Sequence, residues 1–112
     1  MSMKEITTDQ EWHDLFKQSD DGPVLLLKHS TTCPISAEAY DEFQSFINSS
    51  NENAHTYAMV KVIESRPVSN LISEELGVKH ESPQLFILDK NQVKWVDSHF
   101  SITKKKIEKA LA

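Results

Sequence analysis

Pro23-Val24-Leu25-Leu26-Leu27-Lys28-His29-Ser30-Thr31-Thr32-Cys33-Pro34-Ile35-Ser36 is the stretch that decides the fold. Its first half is a short continuous apolar run bounded by the breaker Asp20-Asp21-Gly22-Pro23, the pattern of a strand covered on both faces by helices. His29 to Thr32 is a polar turn, and Pro34 suits the first position of a helix, which places Cys33 at the N-cap. A central strand therefore hands over to a helix at a cysteine. That cysteine is the single one in 112 residues, so no intramolecular disulfide is available.

Working outward, Lys4 to Ile6 reads as a weak strand, and Thr8 with Glu11 three residues on is a capping-box signature for a helix reaching about Ser19, with Trp12, Leu15 and Phe16 as its buried stripe. Downstream, the helix opened by Pro34 carries Ile35, Ala39, Phe43, Phe46 and Ile47 on one face and ends over Asn48 to Asn53. Thr56 to Ile63 is the next strand. Pro67 starts a helix with Val68, Leu71, Ile72 and Leu76 inward and Gly77 as its stop. Pro83 to Leu88 is another apolar strand, Asp89 to Asn91 a hairpin-like turn, and Gln92 to Asp97 a strand with Val93 and Trp95 on one face. A last helix spans Thr103 to Leu111, and Trp12, Trp95, Phe43 and Phe46 are assigned to the core. The order β-α-β-α-β-α-β-β-α combines parallel crossovers with an antiparallel hairpin. It predicts an α/β, three-layer, thioredoxin-like fold, one domain over residues 1–112, with a mixed central sheet of about five strands and helices on both faces.

Hydrophobic residues at 38% and charged residues at 26% suit a globular chain rather than a disordered one. No apolar run exceeds the four residues of Val24 to Leu27, far short of the roughly twenty that a membrane helix needs. The polar N-terminus lacks the basic and apolar regions of a secretory signal, so a cytoplasmic location is expected. A formal charge of -5 argues against generic binding to nucleic acid or to anionic membranes. Lys104, Lys105, Lys106 and Lys109 cluster, as a solvated face complementing a helix C-terminus does. The five histidines are scattered and no C-x-x-C or His-x-x-x-His pair exists, so no metal site is expected.

At a helix start the sulfur of Cys33 meets the positive end of the helix dipole and the free N–H groups of Ile35 or Ser36, both of which favour the thiolate; Lys28 and His29 are further candidate sources of positive charge. Spacing sets some thiol chemistries aside. A tyrosine-phosphatase-type loop wants an arginine where Ala39 stands, and a peroxiredoxin-type site wants a proline where Leu26 stands. What remains is a thiol-disulfide site without its second cysteine, Cys33-Pro34-Ile35-Ser36. Ser36 lies one helical turn on, where a dithiol enzyme keeps its resolving thiol. Serine cannot close an internal disulfide, so a small thiol captured by Cys33 must be released by a second small thiol. A thioredoxin-like site also needs a cis-proline loop facing the cysteine; Pro83, preceded by Lys79-His80-Glu81-Ser82, stands at the expected place.

Thr31-Thr32-Cys33-Pro34-Ile35-Ser36, with His80-Glu81-Ser82-Pro83-Gln84 and Ser98-His99 downstream, resembles the monothiol bacilliredoxin family, the YtxJ-like redox proteins of the bacillithiol system. The resemblance spans nearly the whole chain. It implies removal of bacillithiol from S-bacillithiolated proteins, with Cys33 as the attacking residue and bacillithiol as a thiol co-substrate; no other cofactor and a monomer are expected. The substrate-binding candidates are Thr32, Pro34 and Ser36 around the thiol, Ser82 and Pro83 in the cis-proline loop, His80 and His99 as orienting groups, and Arg66 for a carboxylate of the small thiol. Two other readings stay open. Monothiol glutaredoxins use a C-G-F-S loop to hold an iron-sulfur cluster, though Pro34-Ile35 replaces Gly-Phe here, and a thioredoxin-like module can bind partners without catalysis.

Overall fold

Residues 3–49 and 55–111 are described by a computed structural model. The strands are β1 (Lys4–Glu5), β2 (Val24–His29), β3 (Thr56–Lys61), β4 (Gln84–Asp89) and β5 (Gln92–Ser98). The helices are α1 (Asp9–Gln18), α2 (Pro34–Ser49), α3 (Arg66–Leu76) and α4 (Lys104–Leu111), with a short 3-10 turn at His99–Ser101. One five-stranded sheet runs in the order β1-β3-β2-β4-β5; β1, β3 and β2 are parallel, while β2–β4 and β4–β5 are antiparallel. The expected element order and mixed sheet are what the chain forms.

The apolar run lies at the sheet's centre, and every residue from Val24 to Lys28 is 0% exposed. Alternation along the strand splits it between two cores. Val24 and Leu26 join Trp12 and Leu15 of α1 and Val68 and Ile72 of α3, whereas Leu25 and Leu27 join Ala39, Phe43, Phe46 and Ile47 of α2 and Ile107 of α4. Thr8 caps α1 reciprocally with Glu11, and Gly77 ends α3 at φ 65, a left-handed conformation that glycine adopts without a Cβ clash. Lys90 and Asn91, at φ 54 and 58, make the two-residue turn of the β4–β5 hairpin.

Four expectations need correction. β3 stops at Lys61, because its partner β2 ends at His29, whose carbonyl takes the last bond from Val62 N–H, and Ile63 is left 48% exposed. β4 starts at Gln84, since Pro83 has no N–H to give a ladder. Val93 and Trp95 do not share a face: Leu88 pairs with Val93 and Ile87 with Trp95, so the bulge at Lys94 sends Val93 to the α1/α3 core and Trp95, half-buried, to the α2/α4 core. Ile35 is half-buried rather than core. The expected end of α2 over Asn48 to Asn53 lies partly outside the described residues.

Candidate functional site

Cys33 sits half-buried where β2 gives way to α2. Its N–H reaches the carbonyl of Ser30 at 3.4 Å and its own carbonyl accepts from Ala37 N–H at 3.0 Å, the first intrahelical bond, so it occupies the N-cap. The turn that carries it is fastened at each residue. Ser30 N–H donates to Ser36 Oγ at 2.9 Å, Ser30 and Thr32 pair hydroxyls at 3.3 Å, and Thr31 Oγ1 donates to Glu64 at 3.2 Å.

Ser36 is fully buried, and its hydroxyl also meets His29 Nδ1 at 2.9 Å. Burial, followed by the nearby charge of Lys61, pushes His29 below its ordinary pKa, which leaves a neutral imidazole able to accept there. His29 stacks at a tilt on Tyr40, with ring centroids 5.1 Å apart. Its expected role as a cation beside the thiolate is therefore corrected: it is a half-buried neutral partner of Ser36.

Lys28, one residue earlier, projects to the opposite face. It is 0% exposed, and its Nζ donates to Ser73 Oγ of α3 at 2.5 Å and to His80 Nδ1 at 3.1 Å. Burial lowers its pKa to about 8, so it stays mainly an ammonium at neutral pH, and because an ammonium only donates, His80 carries its proton on Nε2. Burial, Lys28 and then Arg66 hold His80 below the usual histidine range, which places Arg66, exposed at the start of α3, within electrostatic reach of His80.

The Ser82–Pro83 bond is cis, and Pro83 is buried at the head of β4. Ser82 Oγ is buried without a hydrogen-bond partner among the described residues. His99 N–H donates to the Pro83 carbonyl at 3.0 Å, and its Nε2 lies 3.8 Å from Glu81. His99 has φ 56, unusual for a residue with a Cβ, and marks a locally constrained turn.

Two neighbourhoods thus emerge. Thr32, Cys33, Pro34 and Ser36 share the β2–α2 junction; His80, Ser82, Pro83, His99 and the charge of Arg66 gather around the loop before β4. Consecutive residues of β2, Lys28 and His29, tie the strand to both. Sequence reading missed Ser73 and Glu64, for which no local signal exists, gave no role to Glu81 although it stands in the His80–Gln84 motif, and missed that Lys28 is sealed in the core, although its place at the end of an apolar run was a hint.

The arrangement can hold a thiol at a helix start beside a cis-proline loop, with no second thiol in the chain. A family model for monothiol bacilliredoxin BrxC matches residues 4–107. A protein described as a candidate oxidoreductase with a thioredoxin fold is 30% identical over 96% of this chain and 92% of its own, with a TM-score of 0.85. The Malassezia sympodialis thioredoxin aligns over 98% of this chain and 88% of its own at 15% identity and TM-score 0.76. Mitochondrial thioredoxin 3 of Saccharomyces cerevisiae aligns over 97% and 92% at 17% identity and TM-score 0.74. These last two share the fold. No described helix is long and apolar enough to cross a membrane. With one cysteine at the helix start, a serine one turn on, and a family match over almost the full length, the chain belongs to the monothiol bacilliredoxin BrxC family and serves thiol redox chemistry.

Proposed function

We propose that the protein removes bacillithiol from S-bacillithiolated proteins in the cytoplasm, acting as a monomer. The observation that carries this is the pairing of one half-buried cysteine with a serine whose hydroxyl is already bonded to Ser30 N–H and His29. The Cys33 thiolate attacks the bacillithiol sulfur of the mixed disulfide. A Cys33–bacillithiol disulfide forms, the S–S bond between bacillithiol and the substrate's cysteine breaks, and the substrate protein leaves as a thiolate that takes a proton from water. Nothing at position 36 can resolve this adduct. A second bacillithiol, as thiolate, attacks the bacillithiol sulfur, releasing Cys33 and leaving oxidised bacillithiol disulfide.

Arg66 and the Nε2–H of His80 supply donors for the carboxylates of the small thiol on the cis-proline side. Thr32, Pro34, Ser82, Pro83 and His99 frame the sulfur, and no resident cofactor is required. The experiment is multiple turnover of a bacillithiolated protein with excess bacillithiol, following free protein thiol and bacillithiol disulfide together. Equal production of both, lost in Cys33→Ser, is expected; protein thiol released at the same rate by bacillithiol alone overturns the reading.

A further inference from the structure

The molecule has a groove of about 310 Å³ that begins at Ile35, two residues past Cys33, and runs between the first half of α2 and the segment His99–Thr103. Its apolar part is Ile35 and Phe100 above a floor of buried Ala39 and Ile102, and Phe100, at 71%, is the most exposed large apolar side chain among the described residues. Phe100 stands on the constrained turn that follows His99 at φ 56, so its exposed ring is open to whatever enters the groove. The polar part is Glu38, Asp41, Glu42, His99 and Thr103, in which three carboxylates face one imidazole. Glu42 is occupied by the Lys104 N–H at 2.8 Å at the start of α4, whereas Glu38 and Asp41 are exposed and are not part of any ion pair among the described residues.

The cis-proline side holds two cations, Lys28 at 3.1 Å from His80 Nδ1 and Arg66 at the start of α3, with Glu81 as a carboxylate of the same loop beside His99. A mixed disulfide has two unlike halves, a small anionic thiol and a polypeptide, and an acidic groove repels the first. We propose that this groove is the docking site for the polypeptide half of the substrate: a segment with an apolar residue for Ile35 and Phe100 and a lysine or arginine for Glu38 and Asp41, flanking the modified cysteine. The inference rests on the reading of the reaction given above and adds the class of protein sequence that the site accepts.

Two peptides test it, each carrying one bacillithiolated cysteine and one leucine, flanked in one by two lysines and in the other by two glutamates. At low salt kcat/KM for transfer to Cys33 should favour the lysine peptide by about fivefold, as expected of two exposed ion pairs, and the ratio should approach one in high salt. The double variant Glu38→Lys/Asp41→Lys should invert the ratio, and Phe100→Ser should raise KM for both peptides. Equal rates for both peptides in the natural protein, or an unchanged ratio in the double variant, would overturn the groove and leave the transfer reaction standing. If neither peptide transfers bacillithiol, the reaction reading falls, and the groove is read separately by titrating Cys33→Ser protein with the reduced peptides. Preferential binding of the lysine peptide with shifts at the Ile35 and Phe100 amides then supports it; equal or absent binding overturns it.

Discussion

Lys28 and His29 are neighbours at the end of one strand, and the two faces of the sheet treat them differently. On the α3 face a long cationic side chain is enclosed with two hydrogen-bond partners and, among the described residues, no carboxylate paired to it, and burial brings its pKa down to about 8. On the α2 face a histidine, also pushed down by burial, is matched by the hydroxyl of Ser36, which in turn fixes the turn carrying Cys33. One face holds a buried charge that reaches toward the cis-proline loop; the other holds a neutral hydrogen-bond chain that sets the thiol's position. On the proposed function, the difference separates two tasks, presenting positive charge to a small anionic thiol and keeping the nucleophile in place without a second cysteine.

The largest expected effect comes from converting the neutral face into a dithiol. Ser36→Cys puts a thiol one turn from Cys33, so that it can leave its buried contacts and attack the Cys33–bacillithiol adduct intramolecularly. The adduct's lifetime without free thiol should fall by at least about a hundredfold, and intact mass should show an internal disulfide instead. An adduct as durable as the parent's would mean that residue 36 does not face residue 33.

Next is Lys28→Met, which removes the unpaired buried charge. At pH 7 the variant should be the more stable protein by an amount on the order of 2 kcal/mol in urea unfolding, because an isolated buried ammonium is costly. The sign with pH follows from the lowered value. Between about 8 and 10.5 the unfolded chain binds a proton at Lys28 that the folded chain has released, so natural stability rises with pH through that window. The stability difference between variant and parent should shrink there, and a difference independent of pH would show that Lys28 titrates normally.

Ser36→Ala isolates the other face. It strands the buried Ser30 N–H and should cost about 1–2 kcal/mol in the same unfolding assay while slowing transfer. Ser36→Thr, which keeps the hydroxyl, should recover part of the rate, and no loss in either measure would remove the clamp.

Smallest is Arg66→Glu. It should slow transfer from a bacillithiolated peptide by about fivefold, as one exposed charge does, and leave transfer from a mercaptoethanol mixed disulfide unchanged. Equal slowing of both would make Arg66 a structural residue.

Much of this architecture could be read in the chain, because it is written locally. Val24 to Leu27 announces a strand buried on both faces, Thr8 and Glu11 announce a helix start, Gly77 a helix stop, and Cys33-Pro34 a helix opened at a thiol. What could not be read depends on distant partners. The bulge that splits Val93 from Trp95 is set by pairing with Leu88 and Ile87. The enclosure of Lys28 needs Ser73 and His80, some fifty residues away, and the lowered pKa of His29 needs its burial and the charge of Lys61 on the neighbouring strand. Ile35 reads as core by its spacing, yet it borders a groove whose far wall, His99–Thr103, lies more than sixty residues on.

The most direct test of the central claim is intact mass of the protein after mixing one equivalent with a bacillithiolated protein in the absence of free bacillithiol. The account predicts a gain of one bacillithiol on Cys33, matched by an unmodified substrate protein, stable until bacillithiol is added and then discharged. An unmodified Cys33 beside a substrate that keeps its bacillithiol would contradict it.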